Sequence, residues 1–196
     1  MNIENIIEEG YALGMMQNRY EIQQATEFVK TLNVKNFMEI GTDQGGSFLC
    51  WSRVSDPKGL KLSVDWAEGP WSVGTFDVKG RNSKMKSLGT NIHILNGDSH
   101  HETMHYRVKN IIGDEKLDFL FIDGDHSLMG VKLDYHMYKE FVKTGGWIGF
   151  HDIRDSEYHH NNNCWVDAFW SELIGEKIWF FADDVNWGGI GFIKNQ

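Results

Sequence analysis

The stretch Glu39-Ile40-Gly41-Thr42-Asp43-Gln44-Gly45-Gly46-Ser47 lies between two hydrophobic patterns of different period, and its reading decides the fold. Before it, Lys35 to Ile40 closes in a compact apolar run of strand type; after it, Ser47 to Val54 resumes a helical spacing. A glycine-rich turn that leads from a strand into a helix lets a ligand approach the backbone at the helix start. Asp65 follows Gly45 by 20 positions, where an acid can accept from ribose hydroxyls. The turn therefore suits a ligand that contains a nucleoside.

Outward from the turn, short apolar runs alternate with amphipathic stretches. Ile22, Ala25, Phe28, Val29 and Leu32 stand at helical spacing ahead of the first strand. Further strands are expected at Leu60 to Val64, Ile92 to Leu95, Leu117 to Ile122 and Trp147 to Phe150. Met104, Val108, Ile111 and Ile112 share one helical face, and Val131, Tyr135, Tyr138 and Val142 another, closed by Lys143-Thr-Gly-Gly as a helix stop. Trp165, Val166, Phe169, Trp170 and Leu173 make one more helix. Ile178 to Phe181 and Gly189 to Ile193 read as an antiparallel edge pair joined by the Asp183 to Trp187 loop. The alternation predicts an α/β fold: a Rossmann-like, doubly wound, mostly parallel sheet with helices on both faces and an antiparallel C-terminal edge strand.

The bulk properties narrow the function. A chain of 196 residues with 41% hydrophobic and 24% charged composition fits one domain, an N-terminal helical segment over 1–34 and a core over 35–193. The net charge of −9 argues against nucleic-acid partners, which call for clustered Lys and Arg. No run approaches the roughly 20 apolar residues of a membrane span. The acidic start MNIENIIEEG lacks the order of a secretory signal. Cys50 and Cys164, on segments that read as helices and without metal-type spacing, fit reduced thiols of a cytoplasmic protein. A small-molecule partner is expected. The first 20 residues, with Ile3, Ile6, Ile7, Leu13 and Met16, could pack on the body, cap the site or bridge a homo-oligomer.

Ligands in such sheets bind beyond the carboxyl ends of the strands, and every strand end here carries a polar group. Asp65-Trp66 follows the second strand, Gly97-Asp98-Ser99 the third, Asp123-Gly-Asp125-His126 the fourth and His151-Asp152 the fifth. Asp43 stands where a dinucleotide fingerprint needs its second glycine for pyrophosphate, so a carboxylate there would face two negative charges. Asp43 and Glu39 instead suit a ligand with a sulfonium and an ammonium. S-adenosylmethionine is preferred over NAD.

EIGTDQGGS (39–47), FIDGDHS (121–127) and KTGGWIGFHD (143–152), with WGGIGFI (187–193) as a lesser cue, resemble the class I S-adenosylmethionine-dependent methyltransferases. The nearer resemblance is to the group with macrocin-type sugar O-methyltransferases and cephalosporin-hydroxylase-like proteins. It implies that Glu39, Gly41 and Gly45, with Thr42, Asp43 and Ser47 of the same turn, surround the methionine part. It implies Asp65 for the ribose and Asp98 with Ser99 for the adenine, and Asp123 lies at the edge of the cofactor site. It also implies a divalent metal held by Asp123 and Asp152. This chain has His151-Asp152 where relatives often have paired acids or Asp-Asn, so if His151 coordinates, manganese gains on magnesium.

Methyl transfer is an in-line displacement in which positioning does most of the work. A metal would hold the acceptor oxygen and lower its pKa. His126 is the first candidate general base, with Asp123 and His151 as alternatives. Asp65 and Asp98 also suit turn caps, and Asp125-His126 suits a helix start. Trp66, Trp71 or Trp187 could stack on adenine or acceptor. His100, His101, His105, His159 and His160 read as solvated residues, and Asp155 to Asn163 as a flap over the acceptor site. The expected activity is metal-assisted O-methylation of a small hydroxylated molecule, with the sugar implied by resemblance alone. The alternatives are an NAD-type oxidoreductase or epimerase, a metal-dependent hydrolase built on His151-Asp152, and a non-catalytic binding module.

Overall fold

The computed structural model describes residues 2–67 and 77–196. Helices α1 (Ile3–Ala12) and α2 (Arg19–Thr31) precede strand β1 (Phe37–Ile40), helix α3 (Gly46–Val54) and strand β2 (Lys61–Asp65). Then come α4 (Val78–Lys86), β3 (Ile92–Asn96), α5 (Glu102–Ile112), β4 (Leu117–Ile122), α6 (Leu128–Tyr138), a 3-10 turn Lys139–Phe141 and β5 (Val142–His151). The short helices α7 (Glu157–Asn161) and α8 (Val166–Glu172) lead to the strands β6 (Lys177–Phe180) and β7 (Ile190–Lys194).

These strands form one sheet in the order β3-β2-β1-β4-β5-β7-β6. The first five run parallel, and β7 pairs antiparallel with both β5 and β6. That is the doubly wound sheet with an antiparallel C-terminal edge that the alternation predicts. Strand order reverses between β1 and β4, so the two sheet halves diverge there and open a crevice at the strands' carboxyl ends.

Side chains of one strand alternate between the two faces. On β4, Leu120 and Ile122 enter the core shared with α5, α6 and α8. Phe119 and Phe121 enter the opposite core, with Ile6 and Ile7 of α1, Ile22 and Val29 of α2, and Phe48 and Trp51 of α3. Each face thus receives its own layer of helices.

Four features depart from the expectations. Helix α4 has a polar sequence without an apolar stripe to announce it, and buries only Arg81 and Met85. Lys143 to Gly146 does not stop a helix; it lies within β5, where the β4 pairing shifts register between Leu117 and Phe119 and Gly145 takes φ +80°. Helix α6 ends earlier, at Tyr138, because the chain tightens into the 3-10 turn before Val142. Cys164 lies between α7 and α8, not on a helix; both cysteines are free, and both are buried.

The N-terminal helices pack on the body. Glu21 of α2 is fully buried, and its carboxylate accepts from the backbone N–H groups of Ala182 and Gly189, 2.8 Å each. An acid in the middle of the protein is thereby satisfied, and the loop between β6 and β7 is tied to the N-terminal segment. No helix among the described residues is long and apolar enough to cross a membrane.

Candidate functional site

The glycine turn and the end of β4 meet at the reversal of strand order. Gly41 has φ +78°, and a Cβ there would collide with the carbonyl oxygen of Asp123. Only glycine satisfies both conditions at once. Beneath the turn, Glu39 is fully buried and its Oε1 accepts from Trp51 Nε1 at 3.0 Å. Its Oε2 has no hydrogen-bond partner among the described residues. Burial raises the Glu39 pKa to about 8; the hydroxyls of Ser47 and Thr42 only partly offset this, and the charge of Asp123 adds to it. Asp43 has φ +42° and an exposed side chain whose pKa is also raised by desolvation.

Asp65 is engaged by the chain itself. Its Oδ1 accepts from the backbone N–H groups of Thr42 at 3.0 Å and Asp43 at 3.3 Å, which braces the glycine turn. Its Oδ2 pairs with Arg81 of α4, whose side chain is 1% exposed and also donates to the Asp43 carbonyl at 2.8 Å. Thr42 Oγ1 meets Ser63 Oγ at 2.8 Å. Trp66, next in sequence, is half exposed, and Trp71 lies outside the described residues.

Past β3, Asp98 Oδ1 accepts from His100 N at 2.9 Å, the turn-capping role that an aspartate suits there. The Ser99 carbonyl accepts from Tyr138 Oη at 2.6 Å, which fixes this loop against α6. His100 is not a free loop residue: its Nε2 lies 3.3 Å from Oδ1 of the fully buried Asp134. The Asp134 carboxylate beside it raises the His100 pKa.

Asp123, His126, His151 and Asp152 converge at the ends of β4 and β5. Asp123 Oδ1 is 3.1 Å from both His126 Nε2 and His151 Nδ1. The other nitrogen of His126, Nδ1, is 3.0 Å from Asp152 Oδ2, so the imidazole bridges two carboxylates. Burial opposes charge on His126, yet the hydrogen bonds to Asp123 and Asp152 outweigh it and raise its pKa well above the ordinary value. His151 is lifted to about 9, the charges of Asp123 and Asp152 overcoming desolvation. Desolvation opposes both carboxylates in turn, but the charge of His151 and the hydrogen bonds from His126 hold them below the ordinary range. Both imidazoles thus favour their protonated form and both carboxylates their ionised form, so His126 in this state is an acid and not a ready base.

Ligand atoms of Asp123, His126 and His151 lie within 4.8 Å of one another, close enough to hold one metal ion. Asp152 belongs to a second such group with His126 and Cys164, so Asp123, His151 and Asp152 are neighbours but not one trio. Nε2 of His151 is buried without a hydrogen-bond partner among the described residues, and the donor set mixes imidazole, carboxylate and thiol. Such a set fits manganese, zinc or another imidazole-tolerant cation better than magnesium.

Three residues that sequence reasoning missed adjoin the cluster. His159 is buried, with Nε2 3.3 Å from Asp152 Oδ1 and accepting from Gly188 N at 3.0 Å, which corrects its reading as a solvated residue. Its polar surroundings, Glu157 to Asn163, concealed it; α7 turns this one side chain inward. Cys164 joins His126 and Asp152, and no spacing signals it. Gln17, from the connector between α1 and α2, donates through Nε2 to Asp123 Oδ2 at 2.7 Å. His160 is stacked on Trp165 at 4.3 Å and sits with Asp155 and Asp167 in a separate, more exposed group.

A family model described as methyltransferase domain matches residues 38–153. An uncharacterized protein, R132, of Acanthamoeba polyphaga mimivirus is 29% identical over 121 residues, 61% of this chain and 52% of that protein. The chain thus spans about half the length of that curated relative. Among solved structures, the O-methyltransferase of Bacillus cereus in complex with SAH has a TM-score of 0.68 at 14% identity, covering 98% of this chain and 90% of that one. The O-methyltransferase TomG of Streptomyces achromogenes, involved in tomaymycin synthesis and solved with SAM, has 0.63 at 10% identity, covering 99% and 89%. At these identities the likeness is one of fold.

Proposed function

The chain belongs to the methyltransferase domain family, and from that premise we propose that it transfers the methyl group of S-adenosylmethionine to a hydroxyl oxygen of a small molecule, with a divalent cation. The observation that carries this reading is the contact between Gly41 and Asp123, which sets the cofactor turn directly beside the acid and imidazole cluster. A methyl donor seated on the turn would present its sulfonium to an acceptor held at the cluster.

Glu39 supports the donor side. A buried carboxyl with a raised pKa and an orphaned Oε2 gains from a cationic ligand, and the ammonium of S-adenosylmethionine supplies one. Thr42, Asp43 and Ser47 line the same turn. Asp65 keeps one acceptor position for a ribose hydroxyl while it braces the turn, since a carboxylate offers about four and Thr42, Asp43 and Arg81 take three. Asp98 and Ser99 would border the adenine.

On the acceptor side, Asp123, His126 and His151 would hold the cation, with Asp152 fixing His126 from behind. The cation when bound would lower the pKa of the acceptor hydroxyl. His126 and His151 must give up protons to become ligands, so cation binding is expected to release protons and to weaken at acid pH. Asp123 aims both rings through one oxygen.

The test is transfer of label from S-adenosyl-[methyl-3H]methionine to a panel of catechols, sugars and glycosides, with Mn2+ and with EDTA. Transfer that depends on Mn2+, and that falls at least about 100-fold in Asp123→Asn, is the expected result. Labelling at nitrogen or carbon only, or transfer indifferent to EDTA and to Asp123→Asn, would contradict it.

A further inference from the structure

Gln17 lies outside the residues matched by the family, yet its side chain reaches the centre of the candidate site. We propose that Gln17 is a positioning residue for the cation site, holding Asp123 by one oxygen so that the other faces the two imidazoles. The inference rests on the metal reading above.

The geometry divides the Asp123 carboxylate into two halves. Oδ1 is shared by His126 and His151, the partners that could ligate with it; Oδ2 accepts from Gln17 Nε2 at 2.7 Å. A carboxylate free to rotate would offer either oxygen, or neither, to an ion between the imidazoles. Hydrogen bonds from outside a metal site remove that freedom and orient its ligands.

Gln17 is itself held in place. Its carbonyl accepts from Tyr11 Oη at 2.7 Å, and the Arg19 guanidinium lies 4.8 Å over the Tyr11 ring. Asn18, the next residue, caps α2 by accepting from the backbone of Tyr20 at 2.9 Å. On the other side Met15 is buried against Gly46 of α3, and Gly14, with φ +99°, lies against Gln44 of the glycine turn. The connector 13–18 is therefore seated on the glycine turn while its amide holds Asp123. The half-buried Gln17 amide thus ends on the carboxylate whose single oxygen lies 3.1 Å from both imidazoles.

The experiment uses the full chain and Mn2+ as probe. Free Mn2+ is counted by electron paramagnetic resonance, and S-adenosylhomocysteine affinity is read by calorimetry on the same samples. Gln17→Met keeps the length of the side chain and removes the amide; Gln17→Asn keeps the amide one methylene short, and serves if the first variant does not fold. Either variant is expected to weaken Mn2+ about tenfold, with S-adenosylhomocysteine affinity unchanged within about twofold. Wild-type protein that binds Mn2+ and a folded variant that binds it equally well would overturn the inference alone. Equal losses of Mn2+ and S-adenosylhomocysteine would overturn it in favour of general packing. Wild-type protein that binds no Mn2+ would overturn the metal reading and this inference with it.

Discussion

Glu39 carries a charge problem that can be measured. Its folded pKa of about 8 lies above the ordinary 4.5, so between these values the native protein keeps a proton that the unfolded chain has released. Stability then falls as pH rises through this window, by up to about 1.4 kcal/mol per pH unit, and levels off above it. Urea titrations from pH 4.5 to 8 should show this slope in wild type minus Glu39→Gln; identical slopes would contradict it. A cationic ligand favours the carboxylate, so S-adenosylmethionine should release a proton on binding near pH 7, seen as binding enthalpies that vary with the buffer. Gly41 makes a steric prediction. Gly41→Ala combines positive φ with a collision at Asp123 and should lose at least about 2 kcal/mol in the same titrations.

Residue chemistry was legible in the sequence where it was local. Asp123, His126, His151 and Asp152 follow apolar runs whose ends they mark, so their convergence could be expected from strand order. His159, Cys164 and Gln17 reach the cluster from three connections whose paths no periodicity encodes. Asp65 shows a different limit: its position beyond β2 was readable, but its salt bridge to Arg81 depends on α4, a helix with no apolar stripe.

Among the elements, α2 is more than a covering helix. Glu21 occupies the apolar face, four residues before Ala25, and that misplaced charge was the one signal of its role in the sequence. In the fold it closes the backbone of the loop joining β6 and β7 and lies 3.8 Å from Arg154. Glu21→Ala leaves two buried N–H groups without an acceptor and should cost about 3 kcal/mol. Glu21→Gln keeps an acceptor and should cost less. Hydrogen exchange at Ala182 and Gly189 is the direct check: both amides should gain exchange in Glu21→Ala while those of β1 hold. The edge pair itself was readable from two apolar runs around a polar loop, and β4 from its uninterrupted apolar face. The start of β5 was not, because Lys-Thr-Gly-Gly has the composition of a helix stop and lies where the β4 pairing jumps from Val142 to Trp147, a long-range irregularity no local pattern encodes.

For the molecule as a whole, one geometric relation links fold to function: strand order reverses between β1 and β4, and the glycine turn meets the acid cluster there. Charge selects what such a crevice takes. Asp43 stands on the turn where pyrophosphate would need bare backbone, Glu39 lies buried beneath it, and both acids favour a cationic cofactor. Calorimetric titration of the full chain with S-adenosylhomocysteine and, separately, with NAD+ tests this most directly. The account predicts saturable binding of S-adenosylhomocysteine and none of NAD+ at the same concentrations; binding of NAD+ without S-adenosylhomocysteine would contradict it.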